Sequence, residues 1–265
     1  MNEGPVSGLV LVDKPSGPSS FAVVKAVRDR YGVKAGHAGT LDPLATGLLL
    51  CLLGPATRLA RYLVGLDKRY VTEIRLGLRT TTGDGEGEII EKTSEPALAD
   101  IEALRGEVDL RIPQASAVKV EGRRAYELQR RGVVVEMPMR RSTIHDLRVR
   151  TYAPPLVELE LRVSSGTYVR AIADALGGHC RTLRRTGVGQ FRVEDADDGR
   201  VLPPLAALPH LAERELTDEE VRLVGTGRPL TGTGEGPVAL WRGAGELVAV
   251  GRAEGGTIRP ETVLS

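Results

Sequence analysis

The chain has 265 residues, 41% of them hydrophobic, which is enough to bury a full core in one large domain plus a small appendage. Two distant cysteines, Cys51 and Cys180, argue against a disulfide framework and a cysteine-rich metal site, and favour a reducing compartment. The first residues do not resemble a signal peptide, and the longest apolar run, Leu48 to Leu53, is too short to span a bilayer. We therefore expect a cytoplasmic protein without a membrane anchor.

Charge is unevenly distributed along the chain. The net charge of +1 does not by itself indicate a polyanionic partner. Between Lys119 and Arg150, however, nine basic residues outnumber four acidic ones, and from Val193 to Glu220 acidic residues dominate. A solvated surface is the ordinary interpretation of such a run. Nucleic-acid binding therefore needs a second, independent signal.

The N-terminal part of the chain predicts a strand, a helix and a loop, in that order. Gly8 to Val12 is a short apolar run ended by turn-forming residues. Ser19 or Ser20 can cap the helix that follows, and Gly32 supplies its stop. A glycine-punctuated loop, residues 36–43, then leads into the apolar run noted above. Polar groups are thus predicted to lie against a hydrophobic wall.

The rest of the chain mixes strands and helices without a regular βαβ rhythm. The predicted strands are Tyr70–Leu76, Glu88–Glu91, Val133–Val135, Thr143–Val149, Leu156–Val163, Val238–Trp241 and Leu247–Val250. Helical patterns cover Ala97–Gly106 and Thr167–Leu176. This arrangement favours an α+β fold with a mixed, largely antiparallel central sheet flanked by helices.

A proline- and acid-rich stretch from Glu194 to Glu220 predicts a domain boundary. Residues 1–215 are then the large domain, and residues 216–265 are a small β-rich unit with a glycine-rich sequence. No internal repeat is visible.

The segment Gly36 to Gly47, GHAGTLDPLATG, is the most informative part of the sequence. Proline at position 43 disfavours the α region for Asp42, so the carboxylate is expected to project from an extended loop. Glycines beside it permit close approach of a ligand or another backbone. A nucleophile or general base suits this position, although an isolated Asp-Pro is more often an Asx-type turn.

Other chemistries are disfavoured by the motifs that the sequence lacks. It has no Gly-x-Ser-x-Gly elbow, no His-Glu-x-x-His motif, no Walker A motif and no EF-hand spacing. The four histidines are scattered. A metal hydrolase or a nucleotide hydrolase is therefore not expected.

Six segments, taken in order, resemble the TruB-type tRNA pseudouridine synthases. Lys14–Ser20 resembles the family's Lys-Pro-x-Gly-x-x-Ser element, and Gly36–Gly47 resembles its catalytic motif. Asp67–Tyr70 is similar to the family's Lys-x-Tyr element, and Ile112–Gly132 is similar to its central signature. Ser164–Gly177 is similar to its arginine motif, and Leu183–Thr186 is similar to the segment that closes the site. Several ordered motifs over roughly residues 8 to 193 are far more specific than a single Asp or Arg.

The resemblance implies a fold, an activity and a partner. The fold is the pseudouridine-synthase catalytic fold with a C-terminal unit similar to a PUA domain. The activity is isomerisation of uridine 55 in the T-loop of tRNA, with neither cofactor nor metal. The T-arm of tRNA is the expected partner, no protein partner is required, and a monomer is expected.

The resemblance also implies roles for particular residues. Asp42 is the nucleophile, Tyr70 stacks on the flipped uracil and serves as a base, and Arg170 pairs with Asp42. The sequence itself offers Arg170 a second, local partner, Asp174, four residues further along the predicted helix. The residues that line the uridine pocket or hold the RNA loop open are His37, Tyr168 and Leu183. The candidates for RNA contact are Lys14, Lys119, Arg123 and Arg124, which give the basic segment a polyanion to neutralise.

The chain departs from the family pattern in three places. It is several residues shorter between Gly177 and Leu183. The stretch Thr80–Gly87, TTTGDGEG, replaces the usual Thr-Asp-Thr-x-Asp pattern and leaves the role of Asp84 open. The tail from about Val221 is a trimmed and weakly diagnostic version of the appendage.

Two rival functions remain. One is the guide-RNA-dependent relative that works in a multiprotein particle, against which the short tail and the Ala45-Thr46-Gly47 ending of the catalytic motif argue. The other is a non-catalytic RNA-binding protein, against which the intact set of Asp42, Tyr70 and Arg170 argues.

Overall fold

A computed structural model describes residues 6–264 other than 117, 121 and 134. Ala117 of the central signature, Glu121 of the basic segment and Val134 of a predicted strand therefore lie outside the described residues. The chain forms two compact units, one that contains the residues up to Val64 and those from Gly189 onward, and one that is Gly65–Val188.

The α-helices and strands follow one another without a repeating unit. The helices are α1 (Ser20–Tyr31), α2 (Ala60–Val64), α3 (Leu98–Glu102), α4 (Ala125–Arg130), α5 (Val169–Ala175) and α6 (Asp218–Gly225). The strands are β1 (Gly8–Lys14), β2 (Ala35–His37), β3 (Thr46–Leu53), β4 (Lys68–Leu76), β5 (Leu78–Thr80), β6 (Ile89–Lys92), β7 (Gly106–Arg111), β8 (Lys119–Val120), β9 (Arg123–Arg124), β10 (Met139–Ala153), β11 (Leu156–Val163), β12 (Gly178–Val188), β13 (Phe191–Arg192), β14 (Asp197–Leu202), β15 (Ala212–Glu215), β16 (Leu230–Thr231), β17 (Gly236–Arg242), β18 (Glu246–Glu254) and β19 (Thr257–Val263). Short 3-10 turns lie at Gly54–Leu59, Val193–Asp195 and Pro204–Ala207.

In the first unit, β1 lies between β14 and β3, and β2 pairs with the other edge of β3, all antiparallel. Helix α1 begins and ends where its capping residues predict: Ser19 accepts a hydrogen bond from the Ala22 amide at 3.2 Å, and Gly32 takes the left-handed conformation. Val24 and Val27 of this helix pack on β1 and β3. This packing fixes one face of α1 against β1 and against β3, the strand that follows Asp42.

In the second unit, antiparallel strands lie in the order β12, β4, β11, β10 and β7. Strand β4 alternates strictly between buried and half-buried residues, which is the period-2 pattern that the sequence predicts for it. Two short hairpins, β5–β6 and β8–β9, extend from this unit. Helix α5 precedes β12 and carries Arg170.

The C-terminal sheet has the strand order β15, β17, β18, β19 and β16. Strand β15 is parallel to β17, and the other pairs are antiparallel. Helix α6 begins at a capping box, in which Thr217 and Glu220 bond reciprocally, and its buried Val224 joins the apolar core of the sheet. Because β15 starts at Ala212, the sheet already includes residues before the boundary predicted at residue 216.

The predicted α+β class with largely antiparallel pairing is confirmed, and several elements differ. The helix predicted at Ala97–Gly106 is shorter, and Gly106 instead begins β7. Val133 and Val135 lie outside any strand. Strands β12 and β19 and helix α6 were not predicted. Strand β12 depends on pairing with β4, which is distant in sequence, whereas β19 forms a hairpin with β18 and α6 begins at a local capping box. No helix in the described part of the chain is long and apolar enough to cross a membrane.

Candidate active site

The peptide groups next to Asp42 are fixed by hydrogen bonds to the preceding segment. Before Asp42, the hydroxyl of Ser20 donates to the Leu41 carbonyl at 2.9 Å and accepts from the Leu41 amide at 2.8 Å. After it, the Ala45 amide donates to the Asp42 carbonyl at 3.1 Å and closes a turn. The Asp42 residue is half-buried. We call the stretch Gly36–Gly47 the Asp42 loop.

Lys14 fixes the other side of the Asp42 loop. Its side chain is fully buried, with 0% exposure, and Nζ donates to the carbonyl oxygens of Pro15 (2.8 Å), Pro18 (2.8 Å) and Pro43 (3.1 Å). The Gly17 amide also donates to Pro43 O, at 2.8 Å. Three acceptors compensate the buried ammonium. Because Nζ lies inside the protein, the geometry does not support the phosphate contact predicted for Lys14 and assigns it to holding the loop.

One glycine in the turn after β1 and one in the Asp42 loop have unusual backbone conformations. Gly17 has φ 105° and Gly39 has φ 114°, in a region that L-residues with a side chain rarely adopt. His37 ends β2, where it pairs with Cys51 of β3, and it is half-buried just before Gly39. The resemblance to the Lys-Pro-x-Gly-x-x-Ser element thus corresponds to a physical frame around Asp42.

Tyr70 lies in the second unit on the buried face of β4, with 8% of its surface exposed. Its strand neighbours are Leu161 on β11 and Arg185 on β12, and Arg185 is itself buried. Lys68 lies two residues before Tyr70 on the same face. Two cations are therefore close to the tyrosine along the strand and across it.

Lys68 is a buried ammonium, with 6% exposure, that sequence reasoning did not select. Its Nζ donates to the Leu66 carbonyl at 2.5 Å and to Ser165 Oγ at 3.1 Å. Burial, assisted by the positive charge of Arg185, lowers the pKa of Lys68 to about 8, and Asp67 opposes both effects. Its place in the Lys-x-Tyr element was the available signal. Cations beside Tyr70 make this part of the unit suited to an anionic group.

Arg170 lies in the first turn of α5, 2% exposed. Its guanidinium donates to the carbonyls of Thr82 (Nη1, 2.6 Å) and Ala115 (Nη2, 2.8 Å). Its Nε is 3.9 Å from Asp84 Oδ2. These contacts hold the planar group in one orientation, which is how arginine differs from lysine.

Asp174, the local alternative partner of Arg170, is engaged by a different arginine. Asp174 instead receives two hydrogen bonds from Arg79, at 2.7 Å from Nε and 2.5 Å from Nη2. Arg79 also donates to Glu91 at 2.8 Å, and the bond to Asp174 is the main reason that the pKa of Arg79 is raised. Both oxygens of Asp174 are therefore engaged by a residue far away in sequence.

Asp84 is the residue whose role the sequence left open. It is buried, and Oδ1 accepts from Thr82 Oγ1 at 2.5 Å and from the Glu86 amide at 3.1 Å. The same stretch, Thr80–Gly87, docks on β12, because the Cys180 amide donates to the Gly83 carbonyl and the Cys180 carbonyl accepts from Gly85. We call this stretch the Asp84 loop. Its aspartate contributes to the loop's own hydrogen bonds and to the surroundings of Arg170.

The other predicted pocket residues lie on nearby elements of the second unit. Tyr168 is the N-cap residue of α5, is half-buried, and packs against the apolar cluster of Ile112, Ala125 and Met137. Leu183 is buried on β12 and pairs with Thr72 of β4, two residues along that strand from Tyr70. Tyr70 and Leu183 thus lie on adjacent strands.

The predicted RNA-contact residues Lys119, Arg123 and Arg124 are exposed on the hairpin β8–β9, where Lys119 pairs with Arg124 in register. Two other cations of the basic segment have acidic partners: Arg141 binds Glu107, and Arg150 lies 3.4 Å from Glu158. The hairpin is accordingly an exposed basic part of this segment.

A cavity of about 560 Å³ lies within the second unit. Its walls are residues 79–83 of β5 and the Asp84 loop, residues 111–114, residues 135–137, and the Arg170 and Asp174 side of α5. This volume is within the range of small-molecule sites. Arg170 and Thr82, whose carbonyl accepts a hydrogen bond from Arg170, therefore both border this cavity.

The sequence matches the family model described as TruB family pseudouridylate synthase (N terminal domain) over residues 26–169. The tRNA pseudouridine synthase B of Leifsonia xyli subsp. xyli is 44% identical and covers 92% of this chain, with 92% of the relative covered. That of Thermobifida fusca is 40% identical over 97% of this chain and 98% of the relative.

Solved structures of two complexes contain chains with a similar fold. A chain of the H/ACA RNP bound to a substrate RNA containing 2'-deoxyuridine gives a TM-score of 0.73 at 25% identity, with 97% of this chain and 85% of that chain covered. A chain of a Cbf5-Nop10-Gar1 complex gives 0.72 at 26% identity over the same shares. The likeness of fold therefore extends over nearly the whole chain.

Proposed function

The chain belongs to the TruB family of tRNA pseudouridine synthases, and from this premise we propose that it isomerises uridine 55 in the T-loop of tRNA, with Asp42 as the catalytic carboxylate and without a cofactor. The observation that carries the proposal is the set of hydrogen bonds that fixes the peptide groups on both sides of Asp42. A carboxylate whose backbone is held in this way is ready for chemistry before the substrate arrives.

The reaction needs a carboxylate and a confined pocket. The N1–C1′ bond of uridine breaks, the uracil rotates, a C5–C1′ bond forms, and the proton on C5 is lost while N1 gains one. Atoms and charge balance within the nucleoside, and no external oxidant or reductant takes part. Asp42 can attack C1′, add to C6 or remove the C2′ proton, since each step uses a carboxylate as nucleophile or base.

The target base must leave its stack before Asp42 can reach it. Base flipping costs a few kcal/mol, and an aromatic ring that replaces the lost stacking contributes about 1–3 kcal/mol per base. We assign this contact to Tyr70, with His37, Tyr168 and Leu183 around the flipped uridine. Support comes from the adjacent strands of Tyr70 and Leu183 and from the place of Tyr168 at the start of the helix that carries Arg170.

We further propose that Arg170 is the electrostatic partner of Asp42. Its guanidinium is buried, so it favours an anionic neighbour, and the carbonyls of Thr82 and Ala115 fix its plane. Asp84, at 3.9 Å, supplies part of that negative charge. A fixed cation stabilises a reacting carboxylate without reorganisation during the reaction.

A guide-independent enzyme fits better than a subunit of a guided particle. The tRNA synthases named above are 40–44% identical to this chain, whereas the chains from the H/ACA RNP and from the Cbf5-Nop10-Gar1 complex are 25% and 26% identical. RNA readers commonly recognise a folded loop by its shape, which removes the need for a guide strand.

The test is to incubate a bare tRNA transcript with the purified protein and to map pseudouridine at single-nucleotide resolution. We expect modification at position 55 alone, in the full tRNA and in an isolated T-arm hairpin, and none in a transcript with cytidine at that position. Binding without any pseudouridine would favour the non-catalytic rival. Activity that appears only after a guide RNA and partner proteins are added would favour the particle subunit.

A further inference from the structure

Phe21 is the most exposed large apolar side chain of the described residues, at 73%. It lies in the first turn of α1, where Ser20, Val24 and Val27 form the buried face. Phe21 therefore points away from the core that holds the helix. Single exposed apolar residues are common and need no function by themselves, so other observations must decide.

The first observation is a basic stripe on the same helix face. Lys25 and Arg28 follow Phe21 at the spacing i+4 and i+7, which places all three side chains in one row. Both cations bind the single carboxylate of Asp29, at 2.7 Å and 3.0 Å, so the row keeps an excess positive charge. We call Phe21, Lys25 and Arg28 the α1 stripe.

The second observation is where the stripe begins. Ser20, the residue before Phe21, is the one whose hydroxyl bonds both the amide and the carbonyl of Leu41, next to Asp42. The aromatic end of the stripe is therefore covalently adjacent to the anchor of the Asp42 loop. The opposite end of α1 is held elsewhere, because Arg30 and Tyr31 both bond Asp198.

We propose that the α1 stripe is an RNA-contact surface, in which Phe21 stacks on an unpaired nucleobase near the target nucleotide and Lys25 and Arg28 contact the phosphates that follow. An aromatic ring together with cations in a row is the chemistry that recognises single-stranded nucleic acid, since the ring takes the base and the cations take the backbone. The inference rests on the proposed function and extends it to a surface outside the catalytic residues.

The test compares tRNA affinity and single-turnover rate for substitutions of Phe21. Phe21→Ala is expected to weaken binding about tenfold, and Phe21→Trp to bind within about threefold of the unchanged protein, because stacking needs a ring. Phe21→Leu keeps apolar area without a ring and is expected to bind as weakly as Phe21→Ala. The rate at saturating enzyme is expected to stay within about twofold in all three, since the α1 stripe does not include the reacting groups.

Leu98→Ala is the matched control, because Leu98 is another exposed apolar side chain on a helix, in the second unit. Equal affinity of Phe21→Ala and the unchanged protein overturns the proposal, and so does full affinity of Phe21→Leu. A double variant, Lys25→Gln with Arg28→Gln, is expected to flatten the plot of log affinity against log salt by about 0.7–0.9 for each phosphate that the variant no longer neutralises. An unchanged slope would mean that Lys25 and Arg28 do not contact RNA phosphates.

The unchanged protein separates this inference from the function on which it rests. If it makes no pseudouridine in tRNA, the proposed function fails whatever the Phe21 variants do. If the unchanged protein makes pseudouridine and the Phe21 variants bind tRNA normally, only the proposal for the α1 stripe is wrong.

Discussion

Two glycine-rich loops of this molecule each carry an aspartate, and the structure uses the two aspartates in different ways. In the Asp84 loop, the carboxylate itself makes the local hydrogen bonds, to Thr82 and to the Glu86 amide, and lies near Arg170. In the Asp42 loop, the backbone on either side of the aspartate is fixed by Lys14 and Ser20. The Asp84 loop is held in part by its own carboxylate, and the Asp42 loop is held in part by Lys14 and Ser20, which bond its backbone.

Bonds to the backbone can hold a loop independently of the charge state of its carboxylate. A carboxylate that must satisfy its own loop cannot change partner or charge without disturbing the loop. When neighbouring peptide groups are held by other side chains, the loop keeps its shape while the carboxylate reacts. The comparison therefore predicts a functional loss from changing Asp42 and a structural loss from changing Asp84.

The largest expected effect is that of Asp42→Asn. The amide keeps the size of the side chain but is no nucleophile, so we expect pseudouridine formation to fall to background while tRNA affinity stays within about an order of magnitude. Single-turnover assays and binding measurements check this. Asp84→Asn is the matched control, and we expect it to retain measurable turnover and to be less stable, because it removes a buried charge near Arg170. Substantial turnover by Asp42→Asn would show that the catalytic carboxylate has been misassigned.

The next effect compares Arg170 with Asp174, which lie on the same helix, α5. Arg170→Lys is expected to lower the single-turnover rate at least about a hundredfold, because an ammonium cannot reproduce the fork that reaches both Thr82 and Ala115. Asp174→Ala is expected to lower it far less, since its partner Arg79 is part-exposed and such pairs contribute at most about 1 kcal/mol. Circular dichroism must first show that both variants are folded. A near-normal rate for Arg170→Lys contradicts its assignment as the partner of Asp42.

A smaller effect, on stability, tests the frame of the Asp42 loop. Lys14→Met removes a buried ammonium and leaves three carbonyls without that donor, so we expect the free energy of unfolding to fall by about 2–4 kcal/mol. Ser20→Ala is expected to lower it by about 1–2 kcal/mol. Urea unfolding measures both, with the exposed Lys34→Met as control. If Lys14→Met is as stable as Lys34→Met, the loop is held by other contacts.

Local signals made the first part of the fold predictable. Ser19 and Gly32 delimit α1 through hydrogen bonds within a few residues, and the run to Leu53 is apolar enough to require burial. Strand β4 could be predicted because Tyr70–Leu76 alternates in the way that strands do, and burial in the structure follows that alternation. In contrast, β12, GHCRTLRRTGV, contains mostly polar residues and becomes a strand through its pairing with β4. No local sequence pattern predicts pairing between strands that are distant in sequence.

In the candidate site too, some features could be predicted from the sequence, and others depend on contacts between distant residues. Asp42, Tyr70 and Arg170 were selected as candidates through ordered motifs, which indicate chemistry rather than contacts. The contacts that hold them were not readable: Lys14 looked like an RNA ligand until its burial was known, and the partner of Asp174 is Arg79, distant in sequence. Charge alone cannot tell a cation that binds carbonyls inside a protein from one that meets phosphate outside it.

The smallest expected effect asks which cations of the basic segment meet the RNA. Arg123 and Arg124 are exposed on the hairpin β8–β9, whereas Arg141, also exposed, is bound to Glu107. A cation that neutralises a phosphate releases condensed counterions, and removing one such cation flattens the plot of log affinity against log salt by about 0.7–0.9. We expect Arg123→Ala combined with Arg124→Ala to weaken tRNA binding several-fold and to flatten that plot by about one to two units. Arg141→Ala is expected to leave the slope unchanged, because its charge is already balanced within the protein. Titrations of each variant at several salt concentrations measure these slopes. Equal slopes for the double variant and the unchanged protein would mean that the hairpin is an ordinary solvated surface and does not contact RNA phosphates.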